Sequence, residues 1–284
     1  KISYEVIGNP KISIVIPNKD HLEDLSRCIT SIKEKSTYDN YEIIIVENNS
    51  ETKEIFEYYK SIEADNIKVV KYEGEFNYSK ICNLGVKHTN GDYILLLNND
   101  TQVITVNWME EMLMYAQRED VGAVGAKLFY GNKTIQHAGV VIGLGAHRTA
   151  GHTHYGQSRE NLGYMGRLCY AQNCTAVTGA CLLVKKSLYE KVGGLDEGFA
   201  VSLNDVDFCL KLRHEGLLNI FTPFAELYHF ESISRGLDDN GEKAARYNAE
   251  SEKFREKWKE DLEAGDPYYN VNFSLDRSDY SLKI

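Results

Sequence analysis

The chain opens with two apolar periods in alternation. Residues 11–16 (KISIVI) form a β-branched run closed by Pro17, the pattern of a buried strand. Leu22, Leu25, Cys28, Ile29 and Ile32 then recur at helical spacing. Residues 41–46 (YEIIIV) read as a second buried strand, ended by Glu47-Asn48-Asn49-Ser50, and Ile55, Phe56, Tyr59 and Ile62 mark another helix. A third short strand at 67–71, a helix over 79–88 that stops near Asn90-Gly91, and a fourth strand at 93–97 follow. The fourth is stopped by Asn98-Asn99-Asp100. Strands that alternate with helices and read as continuous apolar runs predict an α/β fold whose parallel sheet is covered on both faces. Ligands of such sheets bind beyond the carboxyl ends of the strands. Three polar clusters fall there: Pro17-Asn18, residues 47–50 and residues 98–100.

The second half is less regular. Residues 123–172 are rich in Gly and His without a clear period, so loops and short strands are expected. Strand character returns at 178–184 (TGACLLV), followed by a helix over 206–212 that ends near Gly216 and a short strand at 219–223. Beyond Asp239 the chain becomes charged. Residues 242–262 predict one amphipathic helix with Tyr247, Phe254, Trp258 and Leu262 along a stripe. The tail after Pro267 is aromatic and polar and is expected to wrap the surface.

Composition narrows the function. The 284 residues carry a formal net charge of −10, a poor match to phosphate-neutralising nucleic-acid binding, so no nucleic-acid partner is expected. An acidic chain still suits a phosphate-bearing small ligand held through a cation. No run approaches the roughly 20 apolar residues of a membrane span. The six cysteines are scattered without a CxxC pair and read as reduced residues in or near the core of a cytoplasmic protein, at most peripheral to the inner face of the membrane. The chain begins at Lys1 rather than Met, as expected for a piece of a longer protein with further domains.

Several residues can carry chemistry. Asp100 ends a buried strand, where an aspartate serves either a turn or a metal bridging a diphosphate. Asp205 and Asp207 open a helix, where carboxylates either cap or, if exposed, act as a general base; spacing does not separate the two readings. His229 follows a strand, and a lone histidine is more often structural. His137, His147, His152 and His154 are irregularly spaced in a Gly-rich setting that suggests a mobile, solvated loop. Neither G-x-G-x-x-G after the first strand nor G-x-x-x-x-G-K-[ST] occurs, which argues against a dehydrogenase or a P-loop enzyme.

Taken as an ordered set, SIVIPNKD (13–20), IIIVENNS (43–50), NLGVKHTNGDYILLLNNDT (83–101), TGACLLV (178–184), GGLDEGFAVSLNDVDFCLKLRHEG (193–216) and AELYHFESISRG (225–236) resemble glycosyltransferase family 2, in its bacterial O-antigen, capsule and rhamnan branch. The resemblance implies a GT-A fold over residues 1–236, with a nucleotide-binding half to residue 101 and an acceptor-binding half after it; the stripe of Phe254, Trp258 and Leu262 is expected to pack residues 237–284 on that domain. It implies Mn²⁺ or Mg²⁺ on the donor diphosphate, with Asp100 and His229 as ligands. The family's D-x-D stands here as Asn98-Asn99-Asp100, its first carboxylate replaced by an amide. The catalytic base carries over to Asp205. Pro17, Asn18, Glu47 and Asn49 fall where the family contacts base and ribose. Lys80 and Asn83 lie on a helix facing the donor, with Asn98 and Asn99 beside it. Thr178 and Gly179 line the sugar pocket, and Arg235 meets the diphosphate.

The implied reaction is inverting transfer from a UDP-sugar or dTDP-rhamnose to a hydroxyl of a glycan or lipid-linked glycan. One rival is a non-catalytic module that holds a nucleotide sugar or glycan, favoured by the amide at Asn98. A nucleotidyltransferase is the other, but Pro17-Asn18-Lys19-Asp20 lacks the Gly- and Arg-rich loop expected of it.

Overall fold

The computed structural model describes residues 1–230 and 241–283. The first half alternates through β1 (Ile12–Asn18), α1 (Leu22–Lys35), β2 (Tyr41–Glu47), α2 (Lys53–Ile62), β3 (Ile67–Lys71), α3 (Tyr78–Lys87) and β4 (Tyr93–Leu97). The second half begins with β5 (Thr101–Val103), α4 (Trp108–Ala116), β6 (Val121–Phe129), β7 (Ile135–His137), β8 (Val140–Ile142) and β9 (Ala150–His152). It continues with β10 (Gln172–Cys174), β11 (Cys181–Lys185), α5 (Lys186–Lys191), α6 (Asn204–His214) and β12 (Leu218–His229), and closes with α7 (Gly241–Lys257) and α8 (Lys259–Ala264).

One sheet, in the order β10-β12-β6-β11-β4-β1-β2-β3, runs through both halves. Parallel pairs join β1 to β2 and β4, β2 to β3, and β12 to β6. β11 is antiparallel to β4 and β6, and β10 is antiparallel to β12. All remaining strands of the path therefore point one way and present their carboxyl ends on one side. This is the expected mostly parallel α/β sheet of a GT-A fold. Its first strands are apolar on both faces because helices cover both, and Ile14, Val15, Ile44, Ile45, Leu95 and Leu96 are all fully buried. Helix α3 lies unusually close to the sheet. A Cβ on Gly85 would sit 2.4 Å from Val15 Cγ1 and 2.8 Å from Val46 Cγ2, so only glycine permits this approach.

Four expectations are corrected. The Gly-rich stretch after residue 120 contains β6, with all nine residues Val121–Phe129 buried. Gly125 interrupts its apolar pattern because a Cβ there would lie 2.5 Å from Val177. The last strand does not stop at Pro223. It continues to His229 through an irregularity between Thr222 and Glu226, the kind of break at which proline is tolerated within a sheet. The C-terminal helix is two helices, divided at Trp258, whose backbone turns to φ −112 and ψ 29. The tail does more than wrap the surface: Tyr269 and Tyr280 form a small buried cluster with Val141 and Leu144. Helix α4 carries no amphipathic stripe because almost every residue of it is buried.

All six cysteines are free, and only Cys169 is exposed. Among the described residues no helix is long and apolar enough to cross a membrane.

Phe254 and Trp258 are buried against the domain, and the Trp258 indole donates to Asp207 Oδ1 at 2.9 Å. Trp258→Ala is therefore expected to cost about 3–5 kcal/mol, as truncation of a buried aromatic does. Urea denaturation measures it, and an unchanged midpoint would show that the helix does not stabilise the fold.

Candidate active site

The strand-ending clusters converge because of one pairing. β5 runs antiparallel to the end of β12, with His229 opposite Thr101. That register sets His229 beside Asp100, across more than a hundred residues of chain. His229 Nε2 lies 3.1 Å from Asp100 Oδ1. On the other side of the ring, His229 Nδ1 is 2.8 Å from Gln136 Oε1. An amide oxygen there accepts the Nδ1 proton, which leaves Nε2 unprotonated, with Asp100 Oδ1 and the Asn98 Nδ2 amide both beside it. Two ligand atoms at this separation match adjacent positions on one divalent cation; the carboxylate is the ligand type that Mn²⁺ and Mg²⁺ take, and the imidazole nitrogen adds a softer one beside it. The pair thus offers two ligand atoms to a divalent cation such as Mn²⁺ or Mg²⁺. Among the described residues no group of three His, Cys, Asp or Glu converges on one point.

From His229 a chain of contacts leads to the other carboxylate. Asn98 Nδ2 is 3.0 Å from His229 Nε2. The single proton of the Tyr78 hydroxyl is shared between the Gly179 carbonyl oxygen at 3.0 Å and Asn98 Oδ1 at 3.2 Å. The Gly179 amide donates to Asp205 Oδ2 at 2.8 Å, while Asp205 Oδ1 accepts from the Val206 amide at 2.8 Å. Each Asp205 oxygen keeps a further lone pair, and the side chain is only partly buried. Asp207 is different. It is fully buried, bonded to the Trp258 indole, and paired with Lys257 Nζ at 2.6 Å. Of the two carboxylates that open α6, only Asp205 is accessible to a substrate.

Part of the strained backbone lies at the same edge. Asp20, His21, Asn49 and Leu203 all have positive φ, and Leu203 at φ 63 immediately precedes α6. A non-glycine residue adopts this conformation at a cost of about 1–2 kcal/mol.

The remaining expected residues divide. Asn18 and Asn99 meet through a 2.6 Å bond from Asn99 Nδ2 to Asn18 Oδ1, and Asn18 Nδ2 also donates to the Tyr59 hydroxyl at 2.7 Å. Asn49 caps the neighbouring loop by donating to the Gly74 carbonyl at 2.8 Å, and Glu47 is buried below it, accepting the Ser50 amide. Thr178 accepts the Ala180 amide at 3.3 Å beside Gly179. Pro17 contributes backbone only, paired with Val46. Lys80 is exposed on the first turn of α3. Asn83 is not brought to the site: its amide accepts from the Tyr189 hydroxyl and Leu195 N, at 2.6 and 3.0 Å, and donates to Leu195 O at 3.0 Å. Arg235 lies outside the described residues.

Tyr78 and Gln136 belong to this constellation and were not anticipated. Tyr78 opens a helix whose sequence shows only that its face is apolar. Gln136 sits in the stretch without a period. The histidine-rich segment also departs from expectation. His137 and His154 are buried, and His137 Nδ1 lies 2.9 Å from His152 Nδ1. Burial, with His152 and His229 nearby, holds His137 well below its ordinary pKa, and burial with Arg167 and Lys127 lowers His154 to about 4. Only His147 of that group is exposed.

Residues 13–193 match the family model described as glycosyl transferase family 2. An uncharacterized protein of Sinorhizobium fredii is 44% identical over 97% of this chain and 30% of its own length. The O-antigen biosynthesis protein RfbC of Myxococcus xanthus is 34% identical over 100% of this chain and 22% of its own. The chain thus spans about a third or less of these relatives. A crystal structure of GalNAc-T7 with UDP, GalNAc and Mn²⁺ superposes with a TM-score of 0.72 at 14% identity, covering 90% of this chain and 49% of that one.

Tyr78 provides a direct test of the site's geometry. Tyr78→Phe removes the hydroxyl that serves both the Gly179 carbonyl and Asn98, and is expected to destabilise by about 1–3 kcal/mol. An unchanged unfolding midpoint contradicts the bridge.

Proposed function

The chain belongs to glycosyl transferase family 2, and from that we propose that it transfers a sugar with inversion from a nucleoside-diphosphate donor to a glycan hydroxyl, using Asp205 as base and a divalent cation held by Asp100 and His229. The observation that carries this reading is the continuous line of contacts from Asp205 through Gly179, Tyr78 and Asn98 to His229 and Asp100. It joins an accessible carboxylate to a cation-ready pair along the carboxyl edge of the sheet.

In this reading the acceptor hydroxyl approaches the partly buried Asp205 carboxylate and gives up its proton to the free lone pairs there. The oxygen attacks the anomeric carbon from the face opposite the nucleotide. A single carboxylate suffices because the displacement is direct, in contrast to the paired carboxylates of glycosidases. The Gly179 and Val206 amides hold the carboxylate in place but cover only one lone pair of each oxygen. Asn98 and Asn99 lie beside the phosphates and the nucleoside, and buried Asn18, its amide held between Tyr59 and Asn99, orients Asn99. The cation, when bound, supplies Lewis-acid stabilisation of the departing diphosphate. Asn98 in place of a carboxylate leaves Asp100 as the charged ligand, and Gln136 fixes the tautomer of His229 that can ligate.

UDP-sugars and dTDP-rhamnose are the donors proposed, and a cell-surface glycan or lipid-linked glycan is the acceptor. The Myxococcus relative named for O-antigen biosynthesis supports that direction. Acceptor choice would reside in the second half and in whatever further domains a longer protein carries.

Two measurements test the reading. Binding of UDP or dTDP by calorimetry should require Mn²⁺ or Mg²⁺, and Asp100→Ala should remove that requirement by abolishing the metal-assisted part of the affinity. Equal affinity of the wild type in metal and in EDTA would count against the cation. Asp205→Asn should lower turnover by roughly 10²–10⁴, the usual worth of a general base, with donor affinity nearly unchanged. Asp207→Asn should instead lower the melting temperature, because it weakens a buried ion pair to Lys257. Wild-type turnover in Asp205→Asn would remove the base from this assignment.

A further inference from the structure

One side chain of the C-terminal helix holds the backbone that leads into the site. Glu250 of α7 is buried, at 6% exposure, and faces the backbone of residues 200–202. Its Oε1 accepts the amides of Ala200 at 2.8 Å and Val201 at 3.2 Å, and its Oε2 accepts that of Ser202 at 2.8 Å. Three N–H donors around one carboxylate compensate the loss of water on burial. The segment so held is irregular, and it is tied from the opposite side to α3. The Tyr78 amide donates to Ala200 O at 2.7 Å and the Ser79 hydroxyl donates to Phe199 O at 2.6 Å. Asn204 Nδ2 closes the turn by donating to Val201 O at 3.0 Å. Directly after it come the left-handed Leu203 and then Asn204-Asp205 at the start of α6. Nothing in the local sequence of 200–203 favours that conformation. It is imposed by the groups on either side.

We propose that Glu250 is a positioning residue for Asp205: by gathering three backbone amides it fixes the turn that presents the Asp205 carboxylate to the acceptor. The inference rests on the reading of Asp205 as base. It makes the C-terminal helix a working part of the site as well as a packing element. Displacement of a reacting group by about 1 Å can cost on the order of 10²-fold in rate, so loss of this clamp should be read in turnover before it is read in donor affinity.

Glu250→Gln tests it. The amide offers one oxygen, so either the Ala200 and Val201 amides or that of Ser202 must face an NH₂ group. Turnover is followed as release of nucleoside diphosphate from UDP-glucose or dTDP-rhamnose with Mn²⁺, below the melting transition. It should fall roughly tenfold or more, while UDP or dTDP affinity stays within about twofold. The double variant with Asp205→Asn should be no slower than Asp205→Asn alone, because two groups that act as a unit do not add. Multiplying losses, or wild-type turnover in Glu250→Gln beside a crippled Asp205→Asn, overturn the proposal. Wild-type turnover in Asp205→Asn removes the base assignment itself, and the positioning role with it. Glu250→Asp, which keeps the carboxylate on a shorter arm, carries the same comparison if the glutamine variant does not fold. A readout independent of any substrate is amide hydrogen exchange. Exchange of residues 200–206 should rise about tenfold or more in the folded variant while α7 is unaffected, and unchanged exchange there also overturns the proposal.

Discussion

The Tyr78 hydroxyl joins the two halves of the sheet at the place where chemistry is proposed. It meets Asn98 at the end of β4 and the Gly179 carbonyl just before β11, while the Gly179 amide reaches Asp205. These strands are neighbours but antiparallel, so the carboxyl end of one lies beside the start of the other. A residue leaving β4 and a residue entering β11 therefore share one small volume. The position of Tyr78 depends in turn on Gly85, which lets α3 sit against β1 and β2. Without that close approach the first turn of α3 would not face the strand ends, and the line between Asp205 and Asp100 would be broken.

The same economy explains why the two carboxylates of α6 have different fates. Asp207 points inward, where the Trp258 indole and Lys257 compensate its burial. Lys257 also pairs with Asp196 at 2.9 Å, and burial of Asp196 is outweighed by its bonds to Lys257 and Gly198, which hold it at about 2. A charge that is buried and paired, as that of Asp207 is, costs on the order of 3–5 kcal/mol to break and has no open side for a substrate. Asp205, one turn-edge earlier, has only backbone donors and an open side. Secondary structure alone places both at the helix start; the C-terminal helices separate their roles.

Much of this was legible in the chain. Strands β3 and β4 begin and end where the apolar runs do, because continuous β-branched and aliphatic residues bounded by Asn, Asp and Gly leave little choice. Asn18, Asn98, Asn99 and Asp100 could be placed at the carboxyl edge because parallel strands put their exits there. Distant pairing has no local signal, and that Asp100 and His229 share a site was expected only through the family resemblance. The register of β5 on β12 brings His229 to Asp100, and no local pattern encodes it. β6 was hidden because Gly122 and Gly125 are required by Leu212 and Val177 packing against them, which erases the apolar signal. Asn83 misled for a related reason. It lies on the correct helix, but its amide is consumed by the loop at Leu195. Glu250 was invisible because a glutamate in a charged helix looks solvated until its partner backbone is known.

In the proposed reaction Asp100 and His229 hold a divalent cation against a nucleoside diphosphate. Anomalous diffraction at the manganese edge, from crystals of the protein grown with Mn²⁺ and UDP or dTDP, tests it most directly. The account predicts one strong anomalous peak within bonding distance of both Asp100 Oδ1 and His229 Nε2, in contact with the diphosphate. A bound diphosphate with no peak there, or with manganese ligated by other residues, would contradict it.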